Sequence, residues 1–102
     1  MNKIGFNTLV WSAVVSDDLF PIIDRLKEIG YDGVECFIGA PDEKAYQRFG
    51  NHAKNIGLET TAVTVVSDSE NPVSPSAAVR QKAVDRIKWV IDRAQAMNAT
   101  VL

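Results

Sequence analysis

Few side chains in this chain have the chemistry to catalyse anything, and their positions restrict what they can do. Among 102 residues there is one histidine, His52, and one cysteine, Cys36. His52 falls inside a helical pattern, not at a strand end, and reads as a helix surface residue rather than a ligand. Cys36 has no basic neighbour in sequence to favour its thiolate, so it reads as a small buried hydrophobe. Of the acidic residues only Glu35 lies within a predicted strand, while Glu59 opens another strand at the end away from the ligand-binding side. One carboxylate cannot supply the several oxygen ligands that a hard divalent cation takes. Phosphate-cradling glycine loops are absent as well. The segment after the first predicted strand, Thr8–Asp18, has no glycine, so the G-x-G-x-x-G of a dinucleotide fold is missing, and no G-x-x-x-x-G-K-[ST] occurs.

The elements that must position these residues alternate between short β-type runs and longer helical ones, the pattern of a parallel α/β fold. The first strand is predicted over Lys3–Thr8. In the helix after it, Leu19, Ile22, Ile23, Leu26 and Ile29 share one face. Ser16, Asp17 or Asp18 can cap its start, Pro21 is tolerated only in its first turn, and Gly30 ends it in a left-handed conformation. A second strand, Gly33–Ile38, leads to a helix over about Asp42–Asn55 with Ala45, Tyr46, Phe49, Ala53 and Ile56 inward and Gly57 as its stop. The third strand is predicted over Glu59–Val66, rich in Thr and Val. After the polar loop SDSENPVSPS, a third helix carries Val79, Ala83, Ile87, Val90, Ala94 and Met97 on one stripe. Asn98 takes the place that glycine holds in the two earlier helices, and Thr100–Leu102 opens a fourth strand. Helix-to-strand connections are tight, whereas strand-to-helix connections such as Leu9–Ser16 and Ser67–Ser76 are long and polar. In barrels and open sheets alike, ligand sites form on the latter.

Composition narrows the function classes. Hydrophobic residues make up 46% of the chain and charged residues 24%, as in ordinary globular domains. The net charge is −2 and the basic residues are scattered, so neither a nucleic-acid surface nor an anionic membrane surface is expected. One cysteine cannot form an internal disulfide, and the N-terminal stretch lacks the pattern of a signal peptide. No run is long enough to span a membrane. A cytoplasmic protein is expected.

Particular residues resemble a known family. The start MNKIGFNTLVWS is similar to the first strand and loop of the xylose-isomerase-like barrels, in particular the ketose 3-epimerases of the tagatose and psicose type. The similarity continues through EIGYDGVEC, which contains Glu35, through Asn71-Pro72-Val73-Ser74-Pro75 and Val79-Arg80, and through the third helix into NATVL. The motifs are G-[YF]-D-x-[VL]-E and N-x-x-S-P-x3-[VI]-R in this order. The wider superfamily, with hydroxypyruvate isomerases, inosose dehydratases and an apurinic endonuclease, shares much of the first.

The resemblance implies a partial (β/α)8 TIM barrel: about three βα units and the start of a fourth strand. Residues 1–102 are then the N-terminal part of a single barrel domain whose C-terminal part is absent, because such a barrel takes roughly 250 residues. It implies a sugar substrate, and ketose C3 epimerisation by two glutamates through an enediolate. A divalent metal, Mn2+ or similar, is held by two Glu, one Asp and one His of later strands. This segment then binds no metal, carries no catalytic residue and is inactive alone.

On the same resemblance Trp11 walls the sugar site, with loop packing as the alternative. Glu35 points into the barrel and holds a pocket hydrogen bond, or is a charge satisfied by a lysine. Val65 and Val66 form a pocket floor or core, and Asn71 positions the third loop or is a plain turn residue. Trp89 is expected to pack at the edge of its helix's stripe. Asn7 departs from the family, where an aromatic is frequent, and this leaves the substrate open. A half-barrel binding or assembly module that pairs its open face with a copy of itself, as a homo-oligomer, or with a complementary half is the competing class; irregular element lengths and the short Thr100–Leu102 run speak against it. The same barrel with dehydratase or hydroxypyruvate isomerase activity is a third reading. The nuclease is disfavoured because Val10–Asp18 is acidic.

Overall fold

A computed structural model describes residues 2–102. Its α-helices and strands alternate as β1 (Gly5–Asn7), α1 (Phe20–Ile29), β2 (Gly33–Phe37), α2 (Glu43–Asn55), β3 (Glu59–Val63) and α3 (Ala77–Ala96). The strands pair in parallel in the order β1-β2-β3, with Gly5 opposite Gly33 and Gly33 opposite Glu59. Sequential order means that each helix returns the chain to the next strand on the same side. One hydrophobic cluster accordingly joins Ile23 and Leu26 of α1, Tyr46 and Phe49 of α2 and Val90 of α3 to Val34, Cys36 and Ala62 of the sheet. The result is a two-layer slab of 48 × 30 × 21 Å. Its radius of gyration is 14.7 Å, against about 13 Å for an ordinary domain of this length, because the second face of the sheet has no layer over it.

Helix boundaries follow from local chemistry. Asp42 caps α2, its Oδ1 accepting from the Ala45 N–H at 3.2 Å, and Ser76 caps α3 by accepting from Val79. Gly30 and Gly57 end α1 and α2 at φ 114° and 82°, and Asn98 ends α3 at φ 60°, as the sequence predicts. Pro21 sits in the first turn of α1, where no hydrogen bond is lost. The start of α1 differs from expectation. Asp17–Leu19 form a 3-10 turn, the Ser16 side chain makes no cap bond, and Asp17 instead pairs with Arg48 of α2 at 3.0 Å.

Packing trims the predicted stripes. Ile29 is 61% exposed and Ile87 36% exposed, since each lies at the end or rim of its helix's contact with the sheet. His52 is not a simple surface residue. It is half-buried, with its Nε2 2.6 Å from Asp24 Oδ1 of α1 and its ring stacked on Phe20 at 4.2 Å. One close approach sets the α2–α3 contact. Gly50 is buried against the end of α3, where a Cβ would stand 2.1 Å from the Met97 carbonyl oxygen. Beside it, Phe49 is fully buried.

The first and third strands are shorter than predicted. Beyond Asn7 the chain turns into a 3-10 segment, Thr8–Val10, because the Asn7 side chain accepts from the Leu9 N–H at 2.8 Å. Past Val63 the third strand loses its neighbour on the β2 side. The neighbouring chain leaves the ladder at Gly39 and Ala40, whose N–H groups donate to the Tyr46 hydroxyl at 3.2 and 3.0 Å. The last residues do begin a fourth ladder: Thr100 N–H donates to Thr60 O at 2.9 Å, and Ala62 N–H donates to Val101 O at 2.8 Å. No helix among the described residues is long and apolar enough to cross a membrane.

Candidate functional site

Strand alternation divides the side chains of the sheet between two faces. Val34, Cys36 and Ile38 of β2 and its continuation, with Thr60 and Ala62 of β3, are buried under the helices. Asn7, Glu35 and Thr61 therefore stand on the other face, where the register places them in one row. The Asn7 Nδ2 donates to Glu35 Oε2 at 2.9 Å, and both side chains are half-buried. The partner of Glu35 is thus an amide and not a lysine. Asn7 also caps the turn after β1 through its Oδ1, so this one side chain fastens the first loop and orients the carboxylate at once. Sequence reasoning noted Asn7 only as a departure from the family; its offset from Glu35 across adjacent strands carries no signal until the register is known.

Below this row the sheet is bare. Gly5 and Gly33 leave no side chain between β1 and β3, and Lys3 and Glu59 join across the gap as an ion pair. The Glu59 carboxylate, by hydrogen bond and charge, raises the Lys3 ammonium above its ordinary 10.5. Asp32 adds to this, and its Oδ2 accepts from the Ile4 N–H at 2.8 Å. The concavity over the bare rows has a volume of about 350 Å³ and is lined by Lys3, Asn7, Gly33, Glu35, Glu59 and Thr61, among others. Lys3, Asp32, Glu35 and Glu59 give it four charged side chains beside the apolar Ile4 and Phe6, and it lies on the side of the sheet that no helix among the described residues covers.

The other candidates occupy the loops at the carboxyl ends of the strands. Trp11 follows the turn after β1, 44% exposed, its ring centroid 5.0 Å from that of Phe6. Val65 lies past the end of β3 and is 68% exposed; Val66 is 40% exposed, so neither is core. Asn71 makes a local turn, its Oδ1 accepting from the Val73 N–H at 2.9 Å. Among the described residues no hydrogen bond joins any two of Trp11, Glu35, Val65 and Asn71. Cys36 faces the helices, and burial pushes its thiol up to about 12, which keeps it protonated and unreactive. Trp89 packs against two guanidinium groups, Arg86 at 4.7 Å and Arg93 at 3.7 Å from its ring centre. No three His, Cys, Asp or Glu side chains among the described residues converge on a point that could hold a metal ion. The residues present do not fit such a site, since Glu35 is the one acid in the Asn7–Glu35–Thr61 row.

Parallel strands in sequential order, helices on one face and a polar row on the other make this structure a section of a (β/α)8 barrel. The family model described as xylose isomerase-like TIM barrel matches residues 23–102, and the chain belongs to that family. A search of curated proteins found no match. Among solved structures, the chain is similar to an L-ribulose 3-epimerase, with 19% identity and a TM-score of 0.84 over 99% of this chain and 35% of that one. It is also similar to a D-psicose 3-epimerase studied in the presence of D-fructose, with 22% identity and a TM-score of 0.79 over 96% of this chain and 35% of that one. A protein from Anabaena variabilis assigned as a sugar phosphate isomerase/epimerase aligns over 97% of this chain and 36% of its own, at 15% identity and a TM-score of 0.80. The chain therefore spans about a third of the length of these structures.

Proposed function

We propose that residues 1–102 are the N-terminal part of a single barrel domain of a sugar isomerase or epimerase, and that they build one wall of its sugar site. The observation that carries this reading is the oriented Asn7–Glu35 pair on the uncovered face, beside Thr61. A carboxylate held by an amide donor is a directional acceptor for sugar hydroxyls, and it is already partly desolvated. Trp11 offers an aromatic face to sugar C–H groups at the carboxyl end of β1, Val65 offers apolar contact after β3, and Asn71 sets the course of the third loop. The reaction we assign to the whole barrel is C3 epimerisation of a ketose, in which a proton leaves one face of the carbon beside the ketone and another is returned to the opposite face. A divalent metal held by other strands of the barrel would supply Lewis-acid polarisation to this chemistry. The catalytic glutamates and the metal ligands belong to other strands of the barrel, and on this reading residues 1–102 turn over nothing by themselves.

The test is to express the complete barrel protein and incubate it with D-fructose, D-psicose and L-ribulose in deuterated water, with and without added Mn2+. The expected result is one ketose converted to its C3 epimer with a single deuterium at C3, abolished by a chelator. No exchange at C3 in any of the three sinks the epimerase reading. Exchange at C1 with an aldose product moves the protein to the isomerases instead.

A further inference from the structure

The backbone N–H groups of Ile38, Gly39 and Ala40, which lead out of β2, are all tied down, and an arginine of α3 joins them at the Ile38 carbonyl. Ile38 N–H donates to Val63 O at 2.8 Å, and the Tyr46 hydroxyl receives the Gly39 and Ala40 N–H groups. Arg93 Nη2 donates to Pro41 O at 3.2 Å. Arg86 reaches further: its Nη2 lies 3.4 Å from Ile38 O at the end of β2 and 3.3 Å from Thr64 Oγ1 at the end of β3. Thr64 Oγ1 itself donates to Ile38 O at 2.8 Å, so the three groups form one closed set across the two strand ends. The guanidinium groups of Arg86 and Arg93 both lie over the Trp89 ring, which helps to hold them in place.

This arrangement is more than packing requires. The Nε atoms of Arg86 and Arg93 are buried without a hydrogen-bond partner, a cost that a methionine of similar length would not carry. What the guanidinium offers and an apolar chain cannot is a planar group that stacks on an indole while bridging two acceptors. The place where it is spent is the carboxyl ends of β2 and β3, one residue before the loops that carry Gly39 and Val65.

The structure assigns Arg86 as a positioning residue: by bridging Ile38 O and Thr64 Oγ1 from behind the sheet, it fixes the spacing of the second and third loops at the mouth of the barrel. The consequence for ligand binding rests on the sugar-site reading given above; the fastening itself does not. Removing the bridge leaves only the Ile38 N–H to Val63 O and Thr64 Oγ1 to Ile38 O bonds between the two strand ends, which loosens the substrate wall without touching the substrate.

The test compares the wild-type protein with Arg86→Met, Arg86→Lys and Thr64→Val, and with Arg25→Met as a control on the exposed face of α1. Amide hydrogen exchange is read residue by residue. In Arg86→Met the Ile38, Gly39 and Ala40 amides are expected to exchange about tenfold faster, the size of one charged hydrogen bond, while α1 keeps wild-type protection. Arg86→Lys is expected not to restore them, and Thr64→Val to reproduce part of the change. Adding Thr64→Val to Arg86→Met is expected to give less than the sum of the two single changes, because both act on the same closed set of hydrogen bonds. Unchanged loop amides, or a uniform rise across the chain, overturn the assignment. If Arg86→Met does not fold, Thr64→Val alone decides in the same way. Where the wild-type barrel epimerises a ketose, Arg86→Met is expected to raise KM about tenfold with kcat within about twofold, and an unchanged KM overturns the link to binding. A wild-type protein inactive on all three ketoses, with the exchange pattern as expected, removes the sugar reading and leaves the fastening in place.

Discussion

The two faces of one three-stranded sheet are made from alternate residues of the same strands, yet they obey different rules. Under the helices, Val34, Cys36, Ile38 and Ala62 are almost wholly excluded from water and meet Ile23, Phe49 and Met97. One residue away along each strand, Asn7, Glu35 and Thr61 are half-buried and polar, and two glycines leave room above them. The helix face is where free energy of folding is concentrated, because apolar area buried there is complete and closely packed. The opposite face carries the groups with chemistry and contributes little to holding the slab together. Substitutions on the two faces should therefore separate stability from binding.

The largest effect is expected on the helix face. Phe49→Ala empties the centre of the α2 contact and should lower unfolding free energy by about 3–5 kcal/mol, measured by denaturant titration. Gly50→Ala forces a methyl against the Met97 carbonyl and should cost about 1–3 kcal/mol. A neutral result there would mean that α2 and α3 sit further apart than described. Glu35→Ala, on the other face, removes one partly exposed hydrogen bond and should change stability by less than about 1.5 kcal/mol. On the proposed sugar-site reading it should also weaken ketose binding by the complete barrel, read as a raised KM. A stability loss as large as that of Phe49→Ala would break the contrast between the faces.

Two smaller effects sharpen it through titration. Cys36, one residue from Glu35, has its thiol pushed up to about 12 by burial. It should resist alkylation at pH 8 in the folded protein and react at once when the protein is unfolded; rapid labelling of the native state would show that the helix layer opens. Lys3 is raised above 10.5 by Glu59. A raised folded-state value means that the ion pair contributes fully below the unfolded lysine's value and is lost as pH climbs through the folded one. The pair is exposed, so Lys3→Met should make only a small difference: a slightly lower melting temperature near neutrality and a shallower decline above pH 10.5, both diminished by added salt.

Much of the architecture is legible in local chemistry. Gly30, Gly57 and Asn98 end the three helices in left-handed conformations because few other residues tolerate a positive φ, and this preference needs no tertiary partner. Asp42 and Ser76 cap helices for the same local reason. The parallel α/β class follows from the alternation of two hydrophobic periods, and the family from the motifs that contain Glu35 and Arg80. Where the sequence reading overran, the cause was a distant partner. Val65 and Val66 have strand propensity, but a strand exists only while a neighbour pairs with it, and the neighbour departs at Gly39 toward Tyr46. His52 lies in a helix, as its periodicity requires, yet its role is decided by Asp24 and Phe20 on another helix.

What the sequence determined alone was thus the kind of each helix and strand, the stops of the helices, and which residues have chemistry to offer. The tertiary structure decided the rest: that Asn7 and Glu35 meet, that Gly5 and Gly33 open a concavity between Lys3 and Glu59, and that Arg86 closes two strand ends 22 and 48 residues away from it in the chain. Caps and turns are settled by the few residues around them, so composition at one position is enough. A register or a bridge depends on which distant backbone arrives opposite, and that is fixed only when the helices pack on the sheet.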